Sequence, residues 1–116
     1  MTETFADFCA QQDAKNTVQL NIRKYALMLC DALKDDAPEG YDFTLHSGRK
    51  YYKVIMIDEC GSRSAHCFID KNTGSVLKTA SWRSPAKGER YNLLLIKDRE
   101  WLLSNADWSG SYLYQR

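Results

Sequence analysis

No run of about 18 apolar residues occurs in the 116-residue chain, so no stretch of it reads as a transmembrane helix. No charge of one sign prevails either: 16 Lys and Arg stand against 15 Asp and Glu, a net charge of +1. That balance excludes a protein-wide basic field of the histone type and equally an acidic mimic of DNA, and it leaves room only for a local patch. Internal repeats, linkers and low-complexity tracts are also missing. Met1 to Ala10 carries Glu3 and Asp7 and has no basic stretch leading into an apolar one, so it is not read as a secretory signal. A chain this long supports one core and not two, which gives a single domain over 1–116, with a helical part at 1–37 and a mainly sheet part at 41–116.

The four cysteines, Cys9, Cys30, Cys60 and Cys67, include no Cys-x-x-Cys pair of the kind that opens most zinc sites. Cys60, His66 and Cys67, with His46, are the one conceivable ligand group. The expectation is no metal and no cofactor, with the thiols reduced and packed as small apolar side chains. Gly-x-Ser-x-Gly, His-Glu-x-x-His, P-loop and Gly-x-Gly-x-x-Gly patterns are all missing. His66 next to Cys67 is not read as a nucleophile pair, because adjacent strand residues face opposite ways. Asp58, Glu59 and Asp70 sit at expected strand ends, where acids are routine. No catalytic residue is assigned, and the chain is read as a non-enzyme.

What is present is periodic. Val18, Ile22, Tyr25, Ala26, Leu29, Cys30 and Leu33 fall on one face of an amphipathic helix. Phe5, Phe8 and Cys9 belong to the same helix or to a separate one capped at Thr4, with Gln11 to Asn16 as the weak point. Pro38 and Gly40 end the helical region. From Tyr41 the period becomes two. Tyr41 to Leu45, Tyr51 to Asp58, Ser64 to Asp70 and Ser75 to Ala80 read as strands, with turns at Gly48, Gly61 and Lys71-Asn72-Thr73-Gly74. Ser84 to Gly88 is expected as a loop. Asp98 to Leu103 reads as a short helix with Trp101 packed inward, and Tyr112 to Tyr114 as an edge strand. The fold class is therefore α+β: an N-terminal amphipathic helix (or two) on a three- to four-stranded antiparallel meander, with a short C-terminal helix or strand.

Charge is unevenly spread along this frame. Acids gather around Asp31 to Asp42, and bases between Arg49 and Arg90. Lys71 to Arg90 holds Lys71, Lys78, Arg83, Lys87 and Arg90, interleaved with Trp82 and Tyr91. Lys and Arg neutralise phosphates, and an aromatic ring stacks on a base, so this pattern suits nucleic acid. Lys78, Trp82, Arg83, Lys87 and Arg90 are the candidate ligand residues, with the hydroxyls of Ser75, Thr79, Ser81 and Ser84 as further donors. Arg49, Lys50 and Lys53 form a second basic group on a neighbouring strand. Trp108, Tyr112 and Tyr114 are expected to be exposed, and are the candidates for binding a protein partner. The helix stripe with an edge strand also suits a homodimer.

Lys50-Tyr51-Tyr52-Lys53-Val54, and then the run from Ser64 through Asp70-Lys71-Asn72-Thr73-Gly74 to Ala80-Ser81-Trp82-Arg83-Ser84-Pro85-Ala86-Lys87, resemble a widespread family of small tailed-bacteriophage proteins. The likeness covers roughly the last 65 residues and is most specific at the hairpin and the tryptophan loop. After Gly88 the chain departs from it: Glu89-Arg90-Tyr91-Asn92-Leu93 stands where the family has an Ala-Arg-Gly-Asn-Ile run. The resemblance implies a phage-encoded accessory protein acting by binding in the cytoplasm of an infected host, and it implies no reaction. The partner is nucleic acid, or a host protein that the chain inhibits, or further copies of itself in a virion or homo-oligomer. No membrane is implied.

Overall fold

The computed structural model describes residues 4–114. A helix, α1 (Phe5–Asp36), leads into five strands, β1 (Asp42–Ser47), β2 (Tyr51–Ile57), β3 (Arg63–Asp70), β4 (Ser75–Leu77) and β5 (Tyr91–Asn92). A second helix, α2 (Ile96–Asn105), and a 3-10 turn over Ser111–Tyr114 follow. The helical region is one continuous helix through Gln11 to Asn16. The expected packing of Phe5, Phe8 and Cys9 lies outside the described residues.

The strands form one antiparallel sheet in the order β1-β2-β3-β4-β5, each paired with its chain neighbour. The fold is thus the expected α+β meander, one strand larger than anticipated. Each turn has a local cause. The Asp58 carboxylate accepts the backbone N–H of Cys60 and of Ser62 between β2 and β3. Asp70 does the same for Asn72 and Thr73 between β3 and β4. These acids close turns. Gly74, not Asn72, supplies the positive φ there, at +78°. A Cβ at Gly74 would sit 3.0 Å from Leu94 Cγ and 3.1 Å from Asn92 Oδ1, so both space and backbone require glycine.

One face of the sheet packs on α1. The helix stripe Ile22, Ala26, Leu29, Cys30 and Leu33 meets Phe43, Tyr52, Val54, Cys67, Ile69 and Val76, with Tyr91, Leu93, Leu102, Tyr112 and Leu113 closing the far end. All are buried, as the helical and strand periods dictate.

Three expectations at the C-terminal end are corrected. Trp101 is not the inward residue of α2: Leu102 is fully buried, while Trp101 lies flat on Tyr91 at 5.1 Å with its outer side in solvent. Tyr112 to Tyr114 is a 3-10 turn and not an edge strand, because Gly110 (φ +83°) turns the chain inward and Leu113 N–H bonds back to Gly110. The expected strand Ser75 to Ala80 stops at Leu77, since residues 78–90 leave the sheet as an excursion and return as β5.

Candidate basic-aromatic groove and the cavity at the opposite end

The excursion is a small closed loop. Thr79 bridges Pro85, the Ala86 N–H bonds to the Lys78 carbonyl at 2.8 Å, and the N–H groups of Ala80 and Ser81 bond to the Ser84 carbonyl. The Ser81 hydroxyl oxygen accepts the N–H of Ser84 at 3.2 Å and of Arg83 at 3.4 Å. The loop therefore holds Trp82 and Arg83 at a fixed tip. Ser81, expected as a phosphate donor, serves this closure, and the Ser75 hydroxyl donates to Glu89 at 2.8 Å.

The tip folds onto the sheet face opposite α1. Alternation along β2 puts Tyr51 and Lys53 on that face, and the register sets Lys53 between His46 of β1 and Phe68 of β3. Lys53 Nζ sits 3.8 Å from the centre of the Trp82 ring and 5.9 Å from that of Phe68. Tyr51 meets Phe68 edge to face at 6.0 Å, and Lys50 Nζ lies over the Tyr51 ring at 5.3 Å. Phe68 is buried under this cover of cations and aromatics, while Trp82 remains 42% exposed. His46, Arg49, Lys50, Lys53 and Arg83 line a groove of about 220 Å³ floored by Tyr51 and Phe68. No carboxylate is among the described residues that line it.

Thus the two basic groups of the sequence meet, but only in part. Trp82 and Arg83 join Arg49, Lys50 and Lys53. Lys87 is exposed and lines no part of this groove. Arg90 lies half-buried, its backbone N–H bonded to the Val76 carbonyl beside β5. Tyr91 is buried in the core. Lys78 belongs to the other end of the sheet, with Nζ 4.9 Å from the centre of the Tyr114 ring.

At that end the pairing of β2 with β3 slips: Val54 faces Cys67 but Ile55 faces Ala65, which leaves His66 as the extra residue of a bulge. A bulge re-aims a side chain. His66 consequently joins Cys67 on the core side, against strict alternation, and its Nε2 lies 2.7 Å from the Tyr112 hydroxyl. Phe43 packs edge-on against the imidazole at 5.4 Å, and Tyr112 stacks on it at 5.6 Å. Tyr112, expected to be exposed, is fully buried, and its backbone carbonyl accepts the Tyr91 hydroxyl at 2.7 Å.

Burial lowers the His66 pKa to about 4, with Asp107 opposing the shift. Burial pushes Cys30 up to about 12 and Cys67 upward too, so both are inert thiols. Cys60 is exposed on the β2–β3 turn, and His46 is on the other face. Among the described residues no three His, Cys, Asp or Glu side chains cluster so as to hold a metal ion. Nor is any described helix long and apolar enough to cross a membrane.

A family model matches residues 5–115, nearly the whole chain. The protein belongs to the family of unknown function DUF7717. That description names no activity, ligand or source. Neither a curated protein nor a solved structure matches the chain.

The bulge and the meeting of two basic groups were not readable as such in the sequence. The only signals were the alternation of Tyr51 and Lys53 and the basic-aromatic tip at Trp82-Arg83.

Proposed function

We propose that this protein is a non-enzymatic binding protein whose basic-aromatic groove takes the phosphate backbone of a nucleic acid. The observation that carries the reading is the convergence of Arg49, Lys50, Lys53 and Arg83 on one groove with no lining carboxylate. Phosphate contacts of this kind are sequence-independent and release counterions. Trp82, 42% exposed beside Lys53, adds a ring on which an unpaired base stacks. The resemblance of the Ser64 to Lys87 run to small tailed-phage proteins supports placing that activity in an infected bacterial cytoplasm.

The test is binding of single- and double-stranded DNA and RNA as a function of salt. Arg83→Ala and Lys53→Ala are each expected to weaken binding about ten-fold and to reduce the salt slope by about one. Absence of any complex at low salt removes the reading.

A second reading, binding and inhibition of a host protein, rests on a different surface. Leu94, Leu95 and Ile96 are consecutive and 37%, 55% and 62% exposed at the start of α2. Exposed apolar residues grouped in this way suit a protein contact. Leu95→Asp with Ile96→Asp is expected to abolish such a complex while leaving nucleic-acid binding intact.

A further inference from the structure

A cavity lies beside the bulge that turns His66 inward. The cavity has a volume of about 350 Å³, at the small end of ligand sites, and lies at the end of the sheet away from the basic groove. Its wall brings together residues that are far apart in the chain: Ser64 and His66 of β3, Lys78 and Thr79 at the root of the loop, and Trp108 and Tyr114 near the end of the described chain.

Each component is held in place. Trp108 packs on Tyr41 at 5.1 Å, and its backbone N–H donates to the Asp36 carboxylate at the end of α1. Lys78 Nζ rests over the Tyr114 ring. The Asp107 carboxylate, the nearby acid, accepts the hydroxyls of Ser109 and Ser111 and the Tyr112 N–H. It is thereby committed to its own turn, and Lys78 is the one charged side chain in the cavity wall among the described residues.

With Nε2 bonded to Tyr112, the Nδ1 edge of His66 is its remaining polar atom. That edge borders Gly110. A Cβ there would lie 3.5 Å from His66 Cε1 and 4.0 Å from Nδ1, in ordinary contact, and it is the positive φ of Gly110 that calls for glycine. When the Tyr112 hydroxyl donates to Nε2, Nδ1 carries the ring proton and donates; when it accepts from Nε2, Nδ1 accepts.

We propose that this cavity binds a small planar anion of about nucleotide size, a ring bearing one phosphate or carboxylate. The anion pairs with Lys78 and the hydroxyls of Ser64 and Thr79. The ring lies against Trp108 or Tyr114, and His66 Nδ1 reads a polar atom on its edge. This site is separate from the basic groove and does not depend on it.

Titration of isotope-labelled protein with adenosine monophosphate, benzoate, adenosine and inorganic phosphate tests the site. Adenosine monophosphate or benzoate is expected to shift the amide signals of Ser64, His66, Lys78 and Trp108. Adenosine and phosphate, each lacking half of the recognised group, should bind at least about ten-fold more weakly. Lys78→Met should weaken the anion by about ten-fold, equivalent to ~1.4 kcal/mol. Arg83→Ala, in the groove, should leave it unchanged. Shifts confined to residues 49–53 and 82–83 would assign the anion to the groove and overturn the proposal. So would the absence of any shift with either ring anion at millimolar concentration, or a Lys78→Met protein that binds as tightly as the parent.

Discussion

The two faces of the sheet bury similar side chains by different means. Ile69 and Phe68 are neighbours on β3, and both are buried. Ile69 points into an apolar core roofed by the stripe of α1. Phe68 points the other way, under Lys53 and the Trp82 loop, where the cover is a cation, its aliphatic stem and an indole open to water. The first face is closed by shape complementarity between two regular elements. The second is closed by long charged side chains that keep their heads solvated. The core face is therefore the one that fixes stability, and the opposite face is the one whose cover is loose and solvated.

Truncation of the two neighbours is the strongest way to break this contrast. Ile69→Ala is expected to cost about 4 kcal/mol, because the rigid helix–sheet contact cannot close on the void. Phe68→Ala, although it removes a larger side chain, should cost only about 2 kcal/mol, since the loop and Lys53 can settle inward. Urea unfolding measures both, and equal or reversed costs would show that the loop is as rigid a roof as the helix.

His66 sharpens the same contrast through pH. His46 lies at the groove on the outer face, while His66 is held on the core side with its pKa at about 4 against an ordinary 6.5. Between those values the unfolded chain binds more protons at this residue than the folded one. Stability from His66 is thus full above about pH 6.5 and falls as the pH drops, by up to about 3 kcal/mol near pH 4. In His66→Gln the acid loss over this window should shrink relative to the parent.

Tyr112→Phe removes one oxygen from the core end. His66 Nε2 then loses its partner in a largely buried place, at an expected cost of about 2 kcal/mol. The smallest effect is expected at the Lys34–Asp42 ion pair, 3.1 Å long between side chains that are 56% and 45% exposed. Lys34 and the Phe43 N–H hold the Asp42 carboxyl below its ordinary pKa, yet water screens the pair, and Lys34→Ala should change stability by less than about 0.5 kcal/mol.

How much of this was readable in advance differs between the same two faces. The stripe from Val18 to Leu33 and the alternation in β2 follow from periods of 3.6 and 2, which local sequence carries directly. The closure of the turns at Asp58 and Asp70 is equally local. The groove was half readable: the Trp82-Arg83 tip and the Arg49 to Lys53 cluster were visible, but not that one lies on the other. Lys78, Lys87 and Arg90, close in sequence to the tip, go elsewhere because the loop closes between Thr79 and Pro85 and sends its two ends apart.

The sequence by itself determined α1, the strands β1 to β4, their order and the face α1 buries, because those depend on residues within a turn or two of one another. Only the tertiary structure decided which side His66 takes, since a bulge depends on how two strands slip past each other. It also decided that Tyr112 is core rather than surface, because a 3-10 turn at Gly110 aims it inward. And it decided where the charge collects: an overall charge of +1 says nothing of a groove. The folding of one loop back over the sheet is what adds Arg83 to the three cations of the Arg49 to Lys53 cluster.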